Sequence, residues 1–529
     1  MEDLNPEASE EATTAGATPK WVWLAVAALT LIGAILRIKA DGASMLGDEL
    51  STVWIVKGNS LGEVFSRVYS DAEISPPLYF VLAWMASKLG SDPVLIRLPA
   101  MIAGIISIPL AYAVGVRMIG RFGALVATAI VTFSPFFVFY SATGRAYSLG
   151  LMMLLLSTLT LLVAIQDGRN RWWVLYAVAS ALTLYSHYTM AFALVGQFLW
   201  VLFAYPAARR PAFFANLGAA ALFLPWIPGF IADNSSITTP ITEALQGHGF
   251  HDKLVGVEQL VFFQVNIWNW NLSGRIDVLL ISIGSLGAAA GALYRRYVMK
   301  ARWVLPGSID RGLLLALTLS LSTAIGELIL LAAGSNVFGA RNLAATWEGL
   351  PFLLGGLIAL NGPVLGGVFA SILLVGLGIG AVRTTDASKT AFDYKAVANY
   401  LDSGAKRQGA VVDAANFTPA PTTSLSLYLP PERQRYDVGV SPDKPDFIKS
   451  IFLKEDPQLA VSRAFEGEGP VQVVTLIDPE WVTDRSFYLQ RNTSDQLVVP
   501  PGWQVTSQKV FPGIQDLIVS TYERTGKTP

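Results

Sequence analysis

The chain has 529 residues, of which 53% are hydrophobic and 15% are charged. Soluble globular chains usually carry about 25% charged residues, so this composition is typical of a protein with a large membrane-embedded part. The formal net charge of −1 argues against a nucleic-acid partner, and the absence of cysteine excludes disulfides and thiolate metal sites.

The first 20 residues are polar and acidic, without the basic segment that opens a signal peptide, and we expect a disordered cytoplasmic tail there. Apolar stretches then fill residues 21–383, which we interpret as a transmembrane domain. A spanning helix needs about 20 apolar residues, and eleven stretches are candidates. The predicted spans are Trp21–Ile38, Leu98–Val116, Phe122–Tyr140, Ala146–Ile165, Trp172–Tyr188, Thr189–Tyr205, Phe213–Ile231, Val278–Tyr294, Leu313–Ala333, Leu343–Leu360 and Val364–Val382.

One further apolar stretch, Pro76–Leu89, has only 14 residues and contains Lys88, which favours a juxtamembrane helix over a span. The distribution of basic residues supports this choice. If the stretch does not cross and the N-terminus is cytoplasmic, the loops rich in arginine fall on the cytoplasmic side. The deciding residues are Arg117, Arg121, Arg169, Arg171, Arg209, Arg210, Arg295, Arg296, Lys300, Arg302 and Arg311.

Eleven spans then place the C-terminal residues 384–529 outside the cytoplasm. The predicted outer segments are the first loop 39–97, the turn 141–145, the long loop 232–277, the connection 334–342 and the turn Ser186–His187. Any polar site is expected where these segments converge.

Residues 384–529 alternate short apolar runs with Pro, Gly and polar turns. Gly409–Asp413, Val471–Ile477 and Asp516–Thr521 are predicted strands, and Tyr394–Leu401 is a predicted helix. We expect a small α/β domain.

Asp48 and Glu49 are adjacent acids shortly after the first span, where a general base is one interpretation and ordinary solvated loop charges another. Arg145 and Arg341 each lie at the outer end of a predicted span. Two arginines on one face can clamp a phosphate by bidentate hydrogen bonds. Alternatively, Arg145 pairs with Asp48 or Glu49, or the arginines simply extend into the interface.

Other polar residues have two interpretations each. His187 lies at an outer turn and serves as a structural hydrogen-bonding residue or as a ligand. Trp268, in the Trp- and Asn-rich loop Phe262–Asn271, suits sugar recognition or an interfacial aromatic belt. Glu327 and Glu348 lie within predicted spans, where acids are costly and are either functional or paired with a neighbouring helix.

Taken in order, several short elements resemble the GT-C membrane glycosyltransferases, specifically the dolichyl-phosphate-mannose protein mannosyltransferase superfamily. Bacterial relatives include the aminoarabinose transferases of lipid A and the RgtA/B/C/D-like transferases. The matching elements are Gly47-Asp48-Glu49, Pro76–Tyr79, Arg97–Pro99, Gly144–Ser148 and Arg341–Leu343. Two departures stand out: Ser75 occupies a position where the family often has Lys or His, and Asn342 replaces a common Tyr.

The resemblance implies a GT-C fold and an inverting transfer of a sugar from a polyprenyl-phosphate donor to a lipid, glycan or protein hydroxyl on the extracytoplasmic face of the cell membrane. It implies that Asp48 is the base, that Glu49 positions Asp48 or the acceptor, and that Arg145 and Arg341 stabilise the leaving phosphate. The substrate-binding residues it implies are Tyr79, Arg145, Tyr147, His187, Trp268 and Arg341.

The resemblance leaves a divalent metal open, because some members hold one near the acidic residues, whereas the sequence shows no dedicated ligand cluster. The alternative functions are a polytopic transporter that uses Glu327 and Glu348, and an inactive protein that binds a polyprenyl-phosphate sugar. Polar features gathered at one face and the lack of internal repeats favour the transferase over the transporter.

Overall fold

The computed structural model describes residues 19–45, 47–70, 73–236, 239, 243, 247, 249–263, 275–299, 307–403, 408–415, 423–438, 457–476, 498–514 and 516–526. The N-terminal half contains the helices α1 (Lys20–Ala40), α2 (Asp48–Val56), α3 (Leu61–Val68), α4 (Leu78–Ser87), α5 (Leu98–Met118), α6 (Gly120–Phe133), α7 (Pro135–Ser141), α8 (Tyr147–Asp167), α9 (Asn170–Leu184), α10 (Ala191–Ala204), α11 (Arg209–Phe223) and α12 (Ile227–Asn234).

The remaining helices are α13 (Phe250–Phe262), α14 (Ile276–Tyr297), α15 (Gly307–Ala332), α16 (Thr346–Leu360), α17 (Pro363–Thr384), α18 (Ala387–Thr390), α19 (Tyr394–Leu401) and α20 (Pro457–Phe465). The strands are β1 (Ala410–Asp413), β2 (Arg435–Asp437), β3 (Val471–Leu476), β4 (Trp503–Phe511) and β5 (Leu517–Arg524).

Among the described residues, eight helical segments are long and apolar enough to cross a membrane, and the bent pair α6–α7 makes a ninth. All eleven predicted spans are helical in the structure. However, α9 and α10 have only 15 and 14 residues, which is short for a full crossing. The chain is therefore a multi-pass membrane protein, and the part that the structure describes has eight or nine helical segments long enough to cross.

The predicted span Phe122–Tyr140 is broken by 54° between α6 and α7. Pro135 occupies the first turn of α7, and Ser134 caps that helix by accepting a hydrogen bond from the Phe137 N–H at 3.4 Å. Proline cannot continue the hydrogen-bond ladder of α6, so the break follows from the sequence. The guanidinium of Arg37 donates to the Val131 carbonyl at 3.2 Å, which satisfies a carbonyl near the end of α6.

The first loop folds into three short helices, α2, α3 and α4. The prediction that Pro76–Leu89 does not cross is supported, because α4 has only 10 residues. These helices bury an apolar cluster that includes Met45, Leu50 and Ile96. Helix α2 begins at Asp48, directly after Gly47 at φ +40°, a backbone conformation that side chains with a Cβ rarely adopt.

The C-terminal residues form a five-stranded sheet in the order β2-β1-β3-β5-β4. Strand β1 pairs in parallel with β2 and β3, while β5 pairs antiparallel with β3 and β4. One face of the sheet packs against α19 through a core that includes Val411, Val474 and Val519. The predicted α/β domain and its helix Tyr394–Leu401 are thus confirmed, although β2 and β4 were not predicted.

Candidate active site

A pocket of about 390 Å³ lies where four predicted outer segments meet. The first loop contributes Asp48, the turn before α8 contributes Arg145, the loop before α16 contributes Arg341, and α13 with its C-terminal neighbour contributes Gln259 and Phe263. The segment between α17 and α19 completes the wall with Thr384, Thr390 and Ala391. The predicted convergence of the outer segments is therefore present in the structure.

Asp48 faces this pocket from the first turn of α2. Its side chain is 45% exposed, and its carboxylate pairs with the guanidinium of Arg341. Enclosure by protein atoms acts to raise the pKa of Asp48, but the positive charges of Arg341 and Arg145, together with the Arg341 hydrogen bond, hold it below its ordinary value. Asp48 is therefore ionised at neutral pH and can accept a proton.

Glu49 has the opposite environment. Its side chain is 6% exposed, and both carboxylate oxygens are bound by Arg97, at 2.6 and 2.7 Å. It also accepts the Gly144 N–H at 2.6 Å. Glu49 therefore ties α2 to α5 and to the turn that carries Arg145, which suits a positioning role.

Arg145 is held by an acid that the sequence analysis did not single out. Its guanidinium makes a bidentate pair with Glu73, at 2.6 and 3.0 Å, and also contacts the hydroxyls of Ser51 and Ser75, each at 3.2 Å. Burial acts to raise the pKa of Glu73, but Arg145 and the Ser75 hydrogen bond outweigh it and lower that pKa. Much of the positive charge of Arg145 is therefore already neutralised.

Two sequence features could have identified Glu73 as a site residue. It lies two residues before the Ser75-Pro76-Pro77 run, and it lies in the same predicted outer segment as Asp48. Acids directly before a juxtamembrane helix are close enough to the surface to meet an outer arginine. Ser75 itself donates to Glu73 at 2.8 Å, so the residue that departs from the family pattern supports this buried pair.

Arg341 is more accessible than Arg145. Its side chain is 36% exposed and reaches Asp48 across the pocket. Tyr140 and Tyr147 line the same pocket, with ring centroids 4.6 Å apart, and Tyr147 lies 5.1 Å from the ring of His187. An exposed guanidinium beside aromatic rings can bind a phosphate on one side and a sugar or isoprenoid on the other.

His187 lies in the turn between α9 and α10. Burial, reinforced by the charges of Arg145 and Arg341, lowers the pKa of His187 to about 4. Its Nδ1 lies 3.0 Å from the Thr189 hydroxyl, which in turn donates to the carbonyl of Asn342 at 2.9 Å. His187 is thus neutral at physiological pH and is connected to the residue that follows Arg341.

Among the described site residues, Tyr79 and His187 do not line the pocket. Tyr79 is fully buried under α2, where its hydroxyl donates to the Ile96 carbonyl at 2.8 Å, so the structure places it in the core and not at a substrate surface. Trp268 lies outside the described residues. Glu327 and Glu348 are buried within α15 and α16 and do not line the pocket; Glu348 accepts a hydrogen bond from Thr158.

A divalent metal would need several oxygen or nitrogen ligands close together. Among the described residues, His, Asp and Glu form no group of three that could hold one. Glu49 and Glu73 each have both carboxylate oxygens bound by an arginine, so these two acids fit ion pairing better than metal ligation.

Comparisons with known proteins give a partial match to one family and several similar folds. Residues 75–228 match the sequence profile of the family described as dolichyl-phosphate-mannose-protein mannosyltransferase. The apo crystal structure of ArnT from Cupriavidus metallidurans is similar at a TM-score of 0.52 and 13% identity, over 94% of this chain and 97% of that one. No curated protein sequence matches this chain.

Two further structures match at lower TM-scores. The Archaeoglobus fulgidus oligosaccharyltransferase, tethered to an acceptor peptide, has a TM-score of 0.48 and 11% identity, over 89% of this chain and 70% of that one. The arabinofuranosyltransferase AftD from Mycobacteria has a TM-score of 0.44 and 16% identity, over 96% of this chain and 40% of that one. The ArnT match, which spans nearly both chains, establishes the likeness in fold.

Proposed function

Because the chain has the GT-C glycosyltransferase fold, we propose that it transfers a sugar from a polyprenyl-phosphate donor to an acceptor hydroxyl at the outer face of the cell membrane. The observation that carries the proposal is the pairing of an accessible, ionised Asp48 with an accessible Arg341 in one pocket. The acceptor is a lipid, a cell-envelope glycan or a protein.

Asp48 is the proposed general base. The acceptor oxygen attacks the anomeric carbon while its proton passes to the Asp48 carboxylate, and the bond from that carbon to the phosphate oxygen breaks. The electron pair leaves with the polyprenyl phosphate, so a single displacement inverts the anomeric centre. A phosphate is a good leaving group, and no general acid is required.

Arg341 is the proposed phosphate ligand. Of the two arginines implied by the resemblance, Arg145 is 9% exposed and bound by Glu73, whereas Arg341 is accessible and pairs with a carboxylate that is itself exposed. A donor phosphate can share or take over the Arg341 guanidinium, which stabilises the growing negative charge on the leaving group. Less contact between Arg341 and Asp48 raises the pKa of Asp48 and makes it a stronger base.

The nature of the donor follows from the same pocket. Besides its charged residues, the pocket has an aromatic wall that includes Phe136, Phe139, Tyr140 and Phe263. Such a wall suits the first isoprene units of a lipid carrier or the apolar face of a sugar ring. The matched family takes its name from a dolichyl-phosphate sugar, which supports a lipid-linked donor here.

The test is transfer by the full-length protein in lipid vesicles, with a panel of radiolabelled polyprenyl-phosphate sugars and a membrane extract as the acceptor. We expect label from one donor to move with the wild type and, at a rate about 10²–10⁴ lower, with Asp48→Asn. Equal transfer by both proteins would refute Asp48 as the base. Donor binding without transfer would indicate a binding protein, and movement of an unmodified donor across the vesicle would indicate a transporter.

A further inference from the structure

The C-terminal α/β domain, residues 384–529, is called the soluble domain below. It contacts the segment that lies immediately before Asp48. The Tyr428 hydroxyl accepts a hydrogen bond from the Met45 N–H at 2.8 Å. Lys395 makes two more contacts: its backbone N–H donates to the Ser44 hydroxyl at 3.1 Å, and its ammonium donates to the Gly42 carbonyl at 2.9 Å. The segment Gly42–Met45 therefore makes three hydrogen bonds to residues outside the membrane domain, two as acceptor and one as donor.

The membrane domain holds the same segment from the other side. Arg97 donates to the carbonyls of Asp41 and Ala43, at 2.8 and 3.0 Å, while its other nitrogens bind Glu49. One guanidinium, directly before α5, thus binds both the carbonyls of Asp41 and Ala43 and the carboxylate of Glu49 in α2. The segment is thus clamped between the two domains.

Apolar contacts strengthen the clamp. Met45 is fully buried in the juxtamembrane cluster, and Leu427 of the soluble domain packs against that cluster. The ammonium of Lys395 lies 5.7 Å from the Tyr428 ring, within reach of a cation–π interaction. Lys395, Leu427 and Tyr428 therefore act together on one short segment.

The clamped segment leads directly into the proposed base. Met45 is three residues before Asp48, and the turn between them passes through Gly47. A displacement of about 1 Å in a catalytic group can lower a rate by roughly 10²-fold, so a small shift of this segment would reach the chemistry.

We infer that the soluble domain is a working part of the active site, in which Lys395 and Tyr428 are positioning residues that hold Asp48 opposite Arg341. This rests on the proposed role of Asp48 as the base. The domain then has a function at each turnover that does not depend on binding the acceptor itself.

The experiment uses the full chain in lipid vesicles with two variants and two matched controls. Tyr428→Phe removes only the oxygen that accepts the Met45 N–H, and Lys395→Met removes only the ammonium at Gly42. Tyr436→Phe and Lys389→Met make the same chemical changes elsewhere in the soluble domain; Tyr436 accepts a hydrogen bond from Gln434, and Lys389 is exposed.

We expect kcat to fall about 10-fold in each variant. Because both residues act on one segment, the double variant should lose less than about 100-fold. The KM for the donor should stay unchanged, and the melting temperature should fall only slightly. The controls should match the wild type. Because a loosened Asp48 loses contact with Arg341, the acidic limb of the kcat–pH profile should also move to higher pH in the variants.

Hydrogen–deuterium exchange over residues 42–50 gives a readout that does not depend on transfer. Exchange should be faster in Tyr428→Phe and unchanged in Tyr436→Phe. Unchanged exchange and kcat in both variants would overturn the inference, as would a raised KM for the acceptor at constant kcat, which would assign the domain to acceptor binding. Absence of transfer by the wild type would instead refute the proposed function. The hydrogen–deuterium exchange result would then be the only test of whether the soluble domain holds residues 42–50.

Discussion

Asp48 and Glu49 are neighbours in the chain and both pair with arginine, yet their surroundings differ. The Asp48–Arg341 pair is 45% and 36% exposed, whereas the Glu49–Arg97 pair is 6% and 2% exposed. Successive residues of a helix point about 100° apart, so the first turn of α2 directs one carboxylate to the pocket and the other to the core. Two acids that are adjacent in the chain can therefore have different roles: Asp48 is placed for catalysis, and Glu49 is placed to stabilise the fold.

The largest expected effect is at the exposed Asp48–Arg341 pair, where a substitution should lower activity without lowering stability. Asp48→Asn should lower kcat about 10²–10⁴-fold, because it removes the proton acceptor. Its thermal unfolding should barely change, since exposed ion pairs typically contribute about 0.2–1 kcal/mol. Initial transfer rates and thermal unfolding in detergent measure the two quantities. A large drop in melting temperature would mean that Asp48 stabilises the fold and is not specialised for catalysis.

Glu49→Gln should show the reverse pattern. It leaves the buried charge of Arg97 with only Asp41, 3.4 Å away, as a carboxylate partner. Breaking a buried ion pair typically costs about 3–5 kcal/mol of stability, so we expect a loss of up to that size. We expect a lower yield and a lower melting temperature, with the folded fraction keeping more activity than Asp48→Asn. A variant that is as stable as the wild type and has no transfer would mean that Glu49 acts directly on a substrate.

Arg341 tests whether charge or geometry matters at the exposed pair. Arg341→Gln should lower kcat about 10²-fold by removing a hydrogen-bond donor to the leaving phosphate. It also removes a charge that lowers the pKa of Asp48, so that pKa should rise and the acidic limb of the kcat–pH profile should move to higher pH.

Arg341→Lys is the matched control for that change. It keeps the positive charge but loses the bidentate fork. We expect a lower kcat with the acidic limb close to its wild-type position. If both substitutions leave the limb in place, Asp48 is not the group that titrates.

The sequence was sufficient for the features that depend on local pattern. Apolar stretches of sufficient length predicted the helices. The break at Ser134–Pro135 was not predicted within the span Phe122–Tyr140, although proline chemistry explains it. The acidic pair and the two outer arginines were identified because charges at the ends of apolar stretches are conspicuous. Their convergence on one pocket was expected from the predicted topology.

Other features of the site depend on contacts between residues that are far apart in the chain, and no local sequence pattern predicts such contacts. Glu73 pairs with Arg145 across 72 positions, and that pairing leaves Arg341 as the more accessible of the two predicted phosphate ligands. Tyr79 matches a motif element yet lies in the core, because an aromatic ring suits a substrate wall and a packed interior equally well. Strand β4 was missed because it is exposed along most of its length, so its two faces show no alternation between buried and exposed residues.

The smallest expected effect concerns His187. Its substitution tests whether His187, and not Asp48, is the catalytic base, and so sharpens the comparison of Asp48 with Glu49. Burial and the two arginines already lower the pKa of His187 to about 4, so the ring is neutral and does not titrate between pH 5 and 8. His187→Gln keeps a hydrogen-bonding group within reach of Thr189 and should lower kcat by less than about 10-fold, the loss of one hydrogen bond at most. The kcat–pH profile should keep its shape over that range. A lost limb would assign the titrating base to His187, and Asp48 would then join Glu49 as part of the framework.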